Sequence, residues 1–122
     1  MKSEKSKQAA VNVDSVWELH PHVVHKLKNQ TDEILLLDVR EPKEWQYTRI
    51  EGAILIPLDQ LLRRLEELKL AREKHIVVYC HHGDRSLLAA ELLRDSGFTM
   101  VHSLSGGIEA WSILVDPAVR RY

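Results

Sequence analysis

Apolar positions fall in short blocks along this chain, and their spacing alternates between a strand-like and a helix-like period. Glu33 to Val39 reads EILLLDV, a continuous apolar run too short for a typical helix and of the kind buried on both faces of a parallel sheet. HIVVYC, His75 to Cys80, repeats that character with β-branched residues and ends at a cysteine. AILIP (Ala53 to Pro57) and TMVHSL (residues 99–104) read as further strands, as does Val16 to Leu19. A helix is expected from Pro21 to about Asn29, because the missing N–H of proline needs no partner in a first helical turn.

The blocks between are helical. EPKEWQYT reads as a single turn with Pro42 near its start and Trp45 covering the core. LDQLLRRLEELKL sets Leu58, Leu61, Leu62, Leu65 and Leu68 on one face of an amphipathic helix, with a solvated charged face opposite. RSLLAAELLRDSGF carries Leu88, Ala89, Leu92 and Leu93 at helical spacing until Gly97 stops it. Gly106 and Gly107 form a turn, and IEAWSIL closes the chain with Trp111 inward; Trp17 is left without a place. Strands alternating with helices imply an α/β fold, a mostly parallel sheet with helices on both faces.

Composition narrows the class without naming it. At 122 residues there is room for one core, and 44% apolar with 29% charged residues is ordinary for a globular domain. A net charge of −1 with mixed signs gives no basic face for nucleic acid or an anionic membrane, and no run reaches the length of a membrane span. A lone cysteine forms no internal disulfide, so a reducing cytoplasm is expected. The polar start, residues 1–12, is expected to be a flexible arm ahead of a domain over residues 13–122. The seven histidines lack an established ligand spacing, so no metal is expected: His20, His22 and His25 are expected to be solvated, His75 and His102 to flank strands as edge residues.

One polar stretch, YCHHGDRS, holds the chemistry. Cys80 ends a strand and a helix begins near Arg85, so the loop lies at the carboxyl end of a strand, where open α/β folds bind ligands. Gly83 lets successive N–H groups turn inward to make an anion nest, and the helix N-terminus adds partial positive charge at the same spot. Such surroundings lower a thiol pKa from about 8.5 to between roughly 3.5 and 7.5. Cys80 is therefore expected to be a thiolate nucleophile rather than core filling, and the charge of His81 and His82 to vary near neutral pH.

LLLDVREPKEW, GAILIP, VVYCHHGDRS and LSGGIEAW resemble, in order and spacing, the rhodanese-like domain of sulfurtransferases, over nearly all of Val16 to Trp111. The resemblance implies a rhodanese-like fold with a five-stranded, mostly parallel sheet, a catalytic Cys80, and a substrate-binding and anion-binding loop of His81, His82, Gly83, Asp84, Arg85 and Ser86. Asp38 and Arg40 are expected to support the strand end from behind. Four residues separate Cys80 from Arg85; related phosphatases have one more, and the shorter loop suits sulfur. The implied reaction is a thiosulfate sulfurtransferase (rhodanese) transfer. A sulfane sulfur passes from a small donor, thiosulfate or a persulfide, through a covalent Cys80 persulfide to a thiol, cyanide or protein acceptor, without a cofactor. A persulfide carrier or regulatory binding module acting with a partner protein is the alternative.

Overall fold

The computed structural model describes residues 16–122. The arm expected over residues 1–12, and the first residues of the expected domain, lie outside the described residues. Five strands, β1 (Glu18–Leu19), β2 (Ile34–Asp38), β3 (Ile54–Leu55), β4 (His75–Tyr79) and β5 (Val101–Leu104), form one sheet in the order β1-β5-β4-β2-β3. All four pairings are parallel, with Leu36 opposite Val77, Val78 opposite Ser103, Glu18 opposite Ser103 and Asp38 opposite Leu55. The helices are α1 (Pro21–Gln30), α2 (Pro42–Tyr47), α3 (Asp84–Asp95) and α4 (Gly107–Leu114). No described helix is long and apolar enough to cross a membrane.

Alternation along β4 divides the core. Ile76, Val78 and Cys80 face a cluster with Leu61, Leu68, Ala89, Ala90 and Leu93, under α3 and the segment after β3. Val77 and Tyr79 face Leu19, Val24, Ile108 and Trp111, under α1 and α4. The chain steps outward from β2 to β3 and back from β4 to β5. The crevice between the carboxyl ends of β2 and β4 is therefore the topological switch point, the position at which such sheets bind ligands.

Several local expectations are corrected. The leucine-rich segment is two stretches of 3-10 helix, Leu58–Gln60 and Leu62–Ala71, with a non-helical residue at Arg64 (φ −118°, ψ 21°). Arg64 is held there by bonds to Gln60 and Glu67, and Leu62 turns outward, 57% exposed. In α3 the buried face is Ser86, Ala89, Ala90 and Leu93, and Leu88 lies outside it. Trp111 is buried, whereas Trp45 is half-buried beneath the Arg49 guanidinium. Trp17 stands exposed under that of Arg94. His102 is no edge residue, since β5 lies between β1 and β4. It is fully buried, and its Nδ1 must donate to the Val16 carbonyl at 2.6 Å, leaving Nε2 for His75 Nδ1 at 3.0 Å.

Candidate active site

Cys80 follows β4, the middle strand of the sheet, and no part of the residue is open to solvent. The chain then reverses through His81, His82 and Gly83 before α3 begins at Asp84. Gly83 takes φ +121°, a left-handed backbone that side-chain-bearing residues avoid. That turn aims the Gly83 N–H at the Cys80 sulfur, 3.1 Å away, and the Ser86 N–H reaches it at 3.4 Å from the first turn of α3. The Ser86 hydroxyl lies 3.5 Å from the same sulfur. It donates to the Gly83 carbonyl at 3.1 Å, which leaves the Ser103 hydroxyl to donate to it at 2.7 Å. The sulfur thus sits among N–H donors that stabilise negative charge, as an oxyanion hole does. One acid opposes them: the Asp84 carboxylate, 3.8 Å from the sulfur, whose pKa is lowered by N–H bonds from its own backbone and that of Arg85.

A second layer fixes the loop from behind. The N–H groups of Ile108 and Glu109, in the first turn of α4, donate to the Cys80 and His81 carbonyls at 2.9 and 3.1 Å. Close approach is possible only because Gly107 has no side chain. A Cβ there would lie 2.3 Å from the His81 oxygen and 2.6 Å from that of Cys80.

The loop arginine does not point over the sulfur as a free cation. Arg85 grips Glu44 of α2 with two bonds, 2.9 and 3.1 Å. Glu44 also accepts the Tyr122 hydroxyl at 2.6 Å, and the same hydroxyl accepts from Arg40 at 2.8 Å. Burial works to raise the Glu44 pKa, but bonds from Arg85, Tyr122 and the Glu41 backbone together outweigh it and hold it at about 2. Asp38 and Arg40, fully buried at the end of β2, form a multiply bonded pair, and Arg40 also donates to the Thr48 carbonyl. Burial opposes the Arg40 charge, yet bonds to Asp38 and Tyr122 prevail and raise its pKa.

His81 is stacked between His82 and Tyr122, with ring centroids 3.9 and 3.8 Å away. Burial first, and the neighbouring His82 second, lower its pKa below the ordinary 6.5. Its charge change therefore moves to the acid side of the range expected from sequence. Cys80, Gly83, Asp84 and Ser86 meet at one sulfur, His81 and His82 stack at the rim, and Arg85 turns away to α2. Glu44, Tyr122 and Gly107 were missed. Only Gly107 carried a signal, as half of a Gly-Gly pair; nothing local to Glu44 or Tyr122 reveals a partner tens of residues distant.

A cysteine ringed by N–H donors at the switch point of a five-stranded parallel sheet defines a class of single-cysteine loop domains. Within that class the chain belongs to the rhodanese-like domain family, whose model matches residues 20–114. It is 39% identical over 93 residues to the chloroplastic rhodanese-like/PpiC domain-containing protein 12 of Arabidopsis thaliana, covering 75% of this chain but only 31% of that protein. It is 34% identical over 82 residues to a sulfurtransferase of Allochromatium vinosum, covering 67% of this chain and 75% of the relative. The crystal structure of a rhodanese-related protein from Thermoplasma volcanium superposes with a TM-score of 0.74 at 29% identity, covering 87% of this chain and 99% of that one.

Proposed function

We propose that this chain is a sulfurtransferase that carries sulfane sulfur on Cys80. The observation that carries the reading is the pair of N–H groups, from Gly83 and Ser86, aimed at the sulfur of the chain's one cysteine. Family membership and a relative named a sulfurtransferase support it.

In the first step the Cys80 thiolate attacks the outer sulfur of a donor such as thiosulfate. A bond forms between Sγ and that sulfur, the donor S–S bond breaks, and sulfite leaves with the electron pair. The resulting persulfide anion extends into the loop, where N–H donors stabilise its charge. In the second step a thiolate, cyanide or protein nucleophile attacks the outer sulfur, and Cys80 departs as thiolate with the pair it regains. The chemistry suits a reducing cytoplasm, where a lone thiol stays reduced.

Intact-mass measurement after incubation with thiosulfate tests the reading. Wild type gains one sulfur that cyanide removes as thiocyanate, and Cys80→Ser gains none; equal gain by both proteins excludes Cys80 as the carrier. A second reading, a carrier domain loaded by a partner protein, is favoured by the engagement of Arg85 with Glu44, which leaves the loop without an unpaired arginine to attract a small anionic donor. In that case a protein persulfide loads Cys80 where thiosulfate does not.

A further inference from the structure

We propose that Glu44 is a specificity-determining residue: by holding Arg85 it removes the loop's own positive charge and turns the site against dianionic sulfur donors such as thiosulfate. The inference rests on the sulfur-transfer reading and names the donor class for that site, a sulfane-sulfur compound carrying less negative charge than thiosulfate.

Three observations on different elements support it. The Arg85–Glu44 contact is two-pronged, a planar guanidinium against a planar carboxylate, the geometry in which such pairs are strongest. It is also partly shielded from water, with 32% of the Arg85 and 19% of the Glu44 side chain exposed. Glu44 is anchored independently of Arg85. The Tyr122 hydroxyl donates to one carboxylate oxygen, and the Glu41 backbone N–H to the other at 3.0 Å. An acid fixed from two further directions does not leave when an anion approaches. Finally, Asp84 places an additional negative charge 3.8 Å from the sulfur. A donor approaching Cys80 meets an arginine paired with Glu44 and, beside the sulfur, a carboxylate held in place by backbone N–H groups.

Charge selectivity follows from Coulomb's law, because the interaction of a donor with the Arg85 charge scales with the donor's own charge. Thiosulfate, a dianion, and methanethiosulfonate, a monoanion, offer the same reacting group. In each the Cys80 thiolate attacks the outer sulfur and the S–S bond breaks, with sulfite or methanesulfinate leaving with the electron pair. Their difference is one negative charge. At a separation of about 6 Å in a water-like medium, releasing the Arg85 charge raises kcat/KM about threefold for a monoanion and about tenfold for a dianion.

The experiment compares both donors with wild type, Glu44→Gln and the double variant Glu44→Gln/Arg85→Gln, at low and at moderate salt, reading persulfide formation on Cys80 by intact mass and kcat/KM by thiocyanate release. The expected result is a larger gain for thiosulfate than for methanethiosulfonate in Glu44→Gln, appearing in KM, diminished by salt, and absent from the double variant. A general loosening of the loop would change both donors alike, move kcat and survive loss of Arg85. Equal gains for the two donors, no gain, or a gain that persists without Arg85 overturns the inference while leaving sulfur transfer intact. If neither donor places sulfur on Cys80 of the folded wild type, the small-donor reading fails and takes the inference with it.

Discussion

Replacing Gly107 by alanine tests whether the first turn of α4 holds the cysteine loop in shape. Two penalties add. Gly107 has φ +64°, where a residue with a Cβ costs about 1 kcal/mol or more. The new methyl would also lie 2.3 Å from the His81 oxygen, 2.5 Å from its carbonyl carbon and 2.6 Å from the Cys80 oxygen, all backbone atoms that cannot rotate away. Relief requires the loop and α4 to part, which lengthens the Ile108 and Glu109 N–H bonds to those same carbonyls. Two such bonds at about 1 kcal/mol each, with a further penalty for buried carbonyls left unpaired, bring the total to roughly 3–5 kcal/mol. That is a large part of a typical domain stability of about 5–15 kcal/mol. Gly52→Ala supplies the control. Its φ is also positive, +87°, but a Cβ there meets only the flexible Lys28 side chain at 3.9 Å, so about 1 kcal/mol is expected. In urea unfolding, with a slope of about 1.5 kcal/mol per molar, the Gly107→Ala midpoint falls by about 2 M or more, against about 0.7 M for Gly52→Ala. Sulfur loading of Cys80 falls only in Gly107→Ala. Equal losses of stability in the two variants would refute the steric argument, because backbone conformation alone would then account for both.

Other outcomes follow from the same geometry. Ser86→Ala strands the Ser103 hydroxyl in a buried setting and leaves the Gly83 carbonyl with the Leu87 N–H alone, so stability in urea falls by about 1–3 kcal/mol. Unchanged stability would mean that neither bond matters. The lowered pKa of His81 has a defined sign for stability. The ring is neutral in the folded protein at neutral pH, so its contribution is fully present above 6.5 and is lost as pH falls through the lower folded value. Thiosulfate capture, followed by single-turnover mass measurements, shows the same group at work. The wild-type rate relative to His81→Asn rises as pH drops below 6.5, and a ratio flat from pH 7.5 to 5 would remove His81 from donor attraction.

The contrast between what sequence did and did not reveal is local against distant. Ile34–Asp38 and His75–Tyr79 were legible because strands buried on both faces leave an unbroken apolar run, and Cys80 because a polar loop follows such a run at once. The leucine-rich segment was misread for a physical reason. Leu58, Leu61, Leu65 and Leu68 recur at three or four residues, a spacing that both kinds of helix satisfy, and side-chain bonds to Arg64 break the run where no proline or glycine marks it. In α3 the expected face of Leu88, Ala89, Leu92 and Leu93 holds at Ala89 and Leu93, whereas Ser86, anchored to Gly83 and Ser103, turns Ala90 inward and leaves Leu88 outside. Arg85 was legible as a cation near the cysteine. Its partner was not, since Glu44 lies 41 residues earlier and meets it only once β2 and β4 are paired.

The bonds from α4 to the Cys80 loop also order events during synthesis. A ribosome releases His81 well before Gly107, Ile108 and Glu109, so the emerging chain carries a cysteine loop whose backing does not yet exist. Until those residues appear, the Cys80 and His81 carbonyls lack the N–H partners they have in the finished fold. Edge strand β1, already made, waits as long for β5, its neighbour in the finished sheet. The Cys80 loop is therefore completed late, after nearly the whole domain has left the exit tunnel, and a chain cut short before Gly106 carries the cysteine without the frame that shapes its loop.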